Sequence, residues 1–328
     1  SELKAILEVE GYKYRVSEKL SQVLRIQALP ESIKFVALRA AMTRVCCLEI
    51  FNCKAAEREI LQKACLAPLE DLIGRGESFA VRIRRIMAAA PNIDRGKLER
   101  SLGEQTLEKI KHAKVDLTNP KKTFFGVLTE NRFVFGLKMA EILPKPFVER
   151  RPQRRPLFHP STLLAKLARC MVNLAKPKAG ELVLDPFCGT GTLLVEAGLI
   201  GCRVLGFDVQ RRMVKGSLQN LAYYGVKPEG LIAADARRPP VKEVDCIVTD
   251  PPYGRSATTL GLSTEQLVRD FLSTAQGSVR KGHRICMASP KSIRISKIGR
   301  ELGFKHVESH LVYVHRGLTR EIAVFERN

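Results

Sequence analysis

The chain has 328 residues, 45% hydrophobic and 27% charged, which excludes fibrous and disordered classes and leaves room for about two domains of roughly 150 residues each. Its 55 Lys and Arg outnumber 34 Asp and Glu, a formal charge of +21 that points to a polyanionic partner; no basic amphipathic helix directs that charge to a membrane, so nucleic acid is favoured. No apolar run approaches the roughly 18 residues of a membrane span, the first residues lack a signal peptide's basic start and apolar core, and cytoplasmic placement is expected. Nine cysteines without a C-x-x-C pair and six histidines without ligand spacing predict structural thiols and no metal.

Residues 1–50 read as a small α+β unit. SELKAILEVEG puts Leu3, Ile6 and Leu7 on one helical face, with Ser1 as cap and Gly11 as stop. Strands follow in YKYRV and VLRIQAL, then a helix in SIKFVALRA and a strand in RVCCLEIF. Residues 51–140 form a second unit: a helix in AAEREILQKACLAPLEDLI, a strand in SFAVRIRRI, a helix in DRGKLERSLGEQTLEKIKHA, then VDL and the hairpin FFGVLTENRFVFGL. In SFAVRIRRI, alternation places Phe79, Val81 and Ile83 on one face and Arg82 and Arg84 on the other, either a basic stripe or an ordinary solvated sheet face.

Residues 141–157, EILPKPFVERRPQRRPL, carry four prolines and the cations Lys145, Arg150, Arg151, Arg154 and Arg155, the composition of a semi-stiff linker. From 158 to 328 strands and helices alternate: LVLD, a helix from Thr192, RVLGFD, a helix from Arg211 to Gly225, LIAAD, DCIVTD, a helix around Thr264 to Val279, and RICMAS. A short helix near Lys291 to Leu302 precedes the long strands HVESHLVYVH and REIAVFE. This pattern predicts a doubly wound parallel sheet ending in a hairpin, with ligands at the carboxyl ends of its strands.

Four aspartates stand at the ends of four successive strands. Asp185 opens DPFCGTG, whose Gly189 and Gly191 let backbone amides approach a ligand; the third glycine of dinucleotide binders is missing, and an acid inside the loop would repel a pyrophosphate. Asp185 suits an ammonium group instead. Asp208 falls where a ribose diol needs a bidentate acceptor. Asp235, with Ala236, is placed to bound an adenine. Asp250 heads DPPYG, where two prolines stop the strand and hold Tyr253 stiffly beyond it.

These spacings over 158–328 resemble the class I S-adenosylmethionine-dependent methyltransferases, in their Rossmann-like form with a seven-stranded sheet of order 3-2-1-4-5-7-6. The resemblance assigns Asp185, Phe187, Gly189, Gly191 and Thr192 to the cofactor loop, Asp208 to the ribose and Asp235 and Ala236 to the adenine of S-adenosyl-L-methionine. RPLFHPSTL resembles the motif that contacts the methionine end, with Ser161 and Thr162 as donors; His159 there reads equally as a helix-entry residue. DPPYG matches enzymes that methylate exocyclic amines. Such an amine is a poor nucleophile because its lone pair is delocalised into the ring. Asp250 and the carbonyl of Pro251 accept its two N–H bonds, Tyr253 stacks on the base, and Pro252 and Gly254 complete the substrate side. A base in a duplex must first flip out, at a cost of a few kcal/mol.

VDLTNPKKTFFGVLTENRFVFGL is similar to the end of a THUMP domain, an RNA-binding module, and residues 1–50 then resemble the ferredoxin-like unit that precedes it. With that likeness Arg82, Arg84, Lys121, Lys122, Arg150, Arg151, Arg154 and Arg155 become RNA-binding candidates. The combination resembles the archaeal and eukaryotic tRNA guanine-10 N2-methyltransferases, which implies tRNA as partner; the sequence pattern leads to no metal and no membrane, and leaves the oligomeric state open with a monomer favoured. Alternatives are another tRNA position or ribosomal RNA, DNA amino-methylation, which normally brings a target-recognition insert, and a non-catalytic RNA-binding protein. A NAD dehydrogenase is more distant.

Overall fold

The computed structural model describes residues 1–253 and 263–328. Helix α1 (Glu2–Val9) buries Ala5, Ile6 and Leu7 and stops where Gly11 takes φ +77°, a conformation glycine adopts without strain. Ser1 precedes it without a capping side-chain bond. Strands β1 (Tyr14–Leu20) and β2 (Val23–Ala28) pair antiparallel, and helix α2 (Ser32–Arg39) follows. Next come β3 (Val45–Lys54), α3 (Glu57–Leu66), β4 (Ser78–Arg85), α4 (Arg95–Lys109), β5 (Lys114–Val115), β6 (Lys122–Thr129) and β7 (Arg132–Glu141). The long helix expected over 55–73 ends at Leu66, ahead of Pro68, and resumes only as a 3-10 turn at Glu70–Leu72.

Strands β3 to β7 make one sheet in the order β3-β7-β6-β4-β5. Phe79, Phe124, Phe133 and Phe135 fill its core with Ile60 of α3 and Leu98 and Leu102 of α4. Asp94 caps α4 by accepting from the Lys97 amide at 2.9 Å, satisfying a donor that the helix leaves free. Gly126 is dictated by packing: a Cβ there would stand 2.6 Å from the Phe133 ring.

The remaining elements are α5 (Lys145–Glu149), α6 (Ala165–Ala175), β8 (Leu182–Asp185), α7 (Thr192–Gly198), β9 (Arg203–Asp208), α8 (Arg211–Tyr223), β10 (Gly230–Ala233), β11 (Cys246–Thr249), α9 (Thr264–Ser278), β12 (Arg284–Pro290), α10 (Ile295–Glu301), β13 (Lys305–His315) and β14 (Leu318–Glu326). Their sheet runs β10-β9-β8-β11-β12-β14-β13, which in order of appearance within this body is 3-2-1-4-5-7-6. Strands β8 to β12 are parallel, and β14 is antiparallel to both of its neighbours. Helix α6, not anticipated from the sequence, buries Ala168, Met171, Val172 and Ala175, an i, i+3, i+4, i+7 stripe.

Two boundaries differ from the sequence reading. The chain separates into one unit of residues 1–11, 38–42 and 143–328 and another of 12–37 and 43–142, so residues 1–50 are not a unit of their own. The reason is polar: Glu2 accepts from the amides of Ala41 and Met42 and from Asn173 of α6 at 2.7–2.9 Å, while β3 forms the edge of the five-stranded sheet. The second difference is the 141–157 segment, read as a semi-stiff linker, whose later residues are packed against α7 and α8. Arg150 pairs with buried Glu196 at 2.6 Å, Arg155 donates to Thr192 and to the Arg150 carbonyl, and the Leu157 amide and carbonyl both bond the Asn220 side chain.

Candidate active site

Parallel strands point their carboxyl ends the same way, so acids at the ends of β8, β9 and β11, with Asp235 just beyond β10, converge. They line a cavity of about 330 Å³ that contains Asp185, Asp208, Asp235 and Asp250. Alternation sets their direction: Val183, Val204 and Val248 belong to one core cluster, and Asp185, Asp208 and Asp250 continue the same side of their strands.

Asp185 is 2% exposed. It accepts from Thr249 Oγ1 at 2.8 Å and from the Phe187 amide at 3.2 Å. Burial nevertheless pushes its carboxyl up to about 7, with repulsion from Asp250 and Asp208 adding to the rise and the two hydrogen bonds opposing it. Asp208 accepts from the amides of Gly189 at 3.0 Å and Gln210 at 2.9 Å; burial raises its pKa, and those bonds counter it. Asp235 is held by Arg237, with Nη2 at 2.6 Å, and that bond lowers its pKa. Ala236 is buried beside it.

The glycine loop works differently from expectation. The Gly189 amide donates to Asp208 at the end of β9, and the Gly191 amide donates to the Cys188 carbonyl at 2.7 Å, so both are already paired within the protein. The glycines instead permit φ of +49° and +79° and close packing: a Cβ on Gly191 would stand 2.4 Å from Ser217 Oγ. The ligand-facing polarity therefore comes from carboxylates, a donor set that fits a cation, a diol and an exocyclic amine better than a pyrophosphate. Thr162 Oγ1 lies 3.1 Å from Thr190 Oγ1, and Ser161 Oγ lies 2.8 Å from His159 Nδ1; Ser161 and Thr162 line the same cavity. Phe187 packs edge-on to Phe271 at 5.4 Å.

At the other end of the cavity stand Asp250, Pro251, Pro252 and Tyr253. The Tyr253 hydroxyl donates to Asp250, whose carboxyl burial pushes up to about 7 against the opposing charge of Arg320. Arg320, missed from the sequence, lies on β14 and reaches both residues. Its signal was a cation two residues ahead of the apolar run from Ile322 to Phe325. Gly254 lies outside the described residues.

Of the RNA-binding candidates, Arg84, Lys121, Arg151 and Arg154 are exposed. Arg82 donates to the Leu117 carbonyl, and Lys122 lies 4.0 Å from Glu77. Arg150 and Arg155 are committed to the interior contacts described above, which removes them from the basic surface. Among the described residues one group has metal-ligand spacing, Glu181, Asp245 and His283. It sits at the amino ends of β8, β11 and β12, away from the cavity, and Asp245 already accepts from Arg280 and from the Leu182 amide. No helix among the described residues is long and apolar enough to cross a membrane.

The topology and the acid-lined cavity define a class I methyltransferase fold joined to a second, α+β unit. Comparison with known proteins agrees: residues 152–322 match the RMKL-like methyltransferase domain, and residues 54–138 match the THUMP domain. TrmN from Thermus thermophilus has the same fold, with a TM-score of 0.55 and 23% identity over 100% of this chain and 96% of that one. A possible methylase from Clostridium difficile gives 0.58 at 15% identity, covering 99% and 94%. The chain belongs to the RMKL-like methyltransferases, in the branch whose archaeal relatives are named tRNA (guanine(10)-N2)-dimethyltransferase. The relative from Methanothermobacter thermautotrophicus is 39% identical over 100% of this chain and 95% of its own length. That from Methanocaldococcus jannaschii is 36% identical over 78% and 72%.

Proposed function

We propose that this protein transfers methyl groups from S-adenosyl-L-methionine to the N2 amine of guanine 10 in tRNA. The observation that carries the reading is the meeting of Asp185, Asp208 and the Asp250 to Tyr253 turn in one cavity, in a chain matched along its whole length by a relative bearing that name. When bound, the cofactor supplies an electrophilic methyl group on a sulfonium. Asp185 holds its ammonium group and Asp208 its ribose diol. Asp235 receives the adenine amine, and Arg237 must share that carboxylate with it.

Asp250 and the Pro251 carbonyl each accept one N–H of the guanine amine. The nitrogen lone pair is thereby turned away from the ring and toward the methyl group. Tyr253 stacks on the base. After transfer the alkylated nitrogen is strongly acidic, and its proton passes to Asp250 or to water. A first methylation leaves one N–H, which Asp250 can hold for a second. Transfer of a second methyl group is therefore part of the proposal, in line with the archaeal relatives' name.

We assign tRNA binding to the THUMP unit, with exposed Arg84 and Lys121 as phosphate contacts, and to Arg151 and Arg154 on the catalytic body. A tRNA transcript carrying inosine at position 10, which lacks only the N2 amine, tests the reading. It should bind as well as the guanine form yet take up no labelled methyl. Equal incorporation into both would contradict it.

A further inference from the structure

We propose that Arg320 is a positioning residue for methyl transfer: it fixes the Asp250 carboxylate and the Tyr253 ring in the arrangement that receives the target amine. This rests on the reading of Asp250 given above. Three contacts support it. Arg320 Nη2 stands 3.6 Å from Asp250 Oδ2, its Nε donates to the Tyr253 hydroxyl at 3.2 Å, and its guanidinium lies 5.3 Å from the centre of the Tyr253 ring. Since Tyr253 also donates to Asp250, the three side chains close a ring in which each touches the other two.

The placement is rigid and costly. Arg320 is paired in register with Pro290 of β12 and Val312 of β13, so its backbone belongs to the sheet, and only 9% of its surface is exposed. Ile322 and Val324 continue the same side of β14 into the apolar core. A cation there is tolerated only if it is paired, and Asp250 and Tyr253 are the partners. A planar fork can serve a carboxylate and a hydroxyl at once, which an ammonium cannot do with the same geometry.

The charge has its own consequence. Asp250 accepts most strongly from the amine when it is ionised, because protonation turns one oxygen into a donor and leaves only a weaker neutral acceptor. Besides Arg320, it is faced by the Tyr253 hydroxyl, and Asp185 at the end of β8 and Asp208 at the end of β9 line the same cavity. Burial favours the protonated form; the guanidinium opposes it.

The test compares the pH dependence of kcat/KM for wild type, Arg320→Gln and Arg320→Lys, with S-adenosylhomocysteine binding as the measure of an intact fold and Asp250→Asn as reference. Arg320→Gln should bind S-adenosylhomocysteine within a few-fold of wild type and lose roughly 10- to 100-fold in kcat. Its acidic limb should move to higher pH by about one unit or more. Arg320→Lys should keep the limb in place while kcat stays below wild type, because charge is retained and the fork is not. A uniform loss in Arg320→Gln with an unmoved limb overturns the proposal. If the Gln variant does not bind S-adenosylhomocysteine, Arg320→Lys decides: a limb that shifts although the cation is kept overturns it, and an unmoved limb with reduced kcat supports it. An active Asp250→Asn that retains the wild-type limb would remove the underlying reading of Asp250. An inactive Asp250→Asn beside an unmoved Arg320→Gln limb would remove only the inference about Arg320.

Discussion

The two units treat buried charge in opposite ways. In the unit of residues 12–37 and 43–142, the buried polar side chains are Ser32, Thr106, Thr123 and Thr129, and the core is a cluster of phenylalanines. In the methyltransferase body, Glu2, Arg39, Arg155, Arg169, Asp185, Glu196, Asp245, Arg320 and Glu321 are all buried. Burying a charge costs several kcal/mol unless partners offset it, so each buried charge calls for a reason. Glu196 has a structural one, since it joins Arg150 and Arg169 at 2.6 and 2.9 Å. Asp185 has hydrogen bonds but, among the described residues, no cation pairs with it, and burial pushes its carboxyl up to about 7.

The contrast can be broken most forcefully at Glu196. Glu196→Ala leaves Arg169 buried without its carboxylate and should cost about 3–5 kcal/mol by urea unfolding. A loss below about 1 kcal/mol would mean that the ion pairs do not hold the packed segment. Asp250→Ala is next: turnover on tRNA should fall by about two orders of magnitude or more while S-adenosylhomocysteine binding stays within a few-fold. A variant that methylates at a near wild-type rate would reduce DPPYG to a turn.

Asp185→Asn should separate stability from function. The folded carboxyl titrates near 7 and the unfolded one near 3.9, so between these values the folded state holds the extra proton. Stability therefore declines as pH rises from about 4 to 7 and levels off above. The Asn variant lacks that slope and should be more stable than wild type at pH 8, by on the order of 1–3 kcal/mol, while binding S-adenosylmethionine roughly 10- to 100-fold more weakly. Wild-type affinity should rise with pH up to about 7, because the ammonium group displaces the proton. Calorimetry at pH 6 and pH 8 checks both signs.

The smallest effect belongs to the other unit. Replacing Arg84 and Lys121 together by Ala should leave cofactor affinity unchanged and flatten the salt dependence of tRNA binding by about 0.7 to 0.9 for each phosphate that is no longer neutralised. An unchanged slope would move the RNA surface elsewhere.

Much of the catalytic body was legible because alternation of strands with helices and acids at strand ends are local patterns. The doubly wound parallel sheet and the meeting of Asp185, Asp208, Asp235 and Asp250 followed from them, whereas the strand order came only with the resemblance to class I methyltransferases. What escaped were long-range pairings. Glu2 draws the first helix to α6 through Asn173, 171 residues away in sequence, so composition misplaced the boundary at residue 50. Arg150 and Arg155 looked like exposed linker cations, yet Glu196 and Thr192, which hold them, lie roughly 40 residues on. Arg320 is separated from Tyr253 by 67 residues, and nothing in LTREIAVF names its partner. Hydrophobic period fixes which face is buried; it is silent about which buried charge meets which.

Methylation of guanine 10 is tested by incubating purified protein with unmodified tRNA and labelled S-adenosylmethionine, then digesting the product for nucleoside mass spectrometry and mapping the labelled fragment. Label is expected in N2-methylguanosine and N2,N2-dimethylguanosine at position 10 and at no other guanine. Label in an N6-methylated adenine, or at a guanine outside position 10, would contradict it.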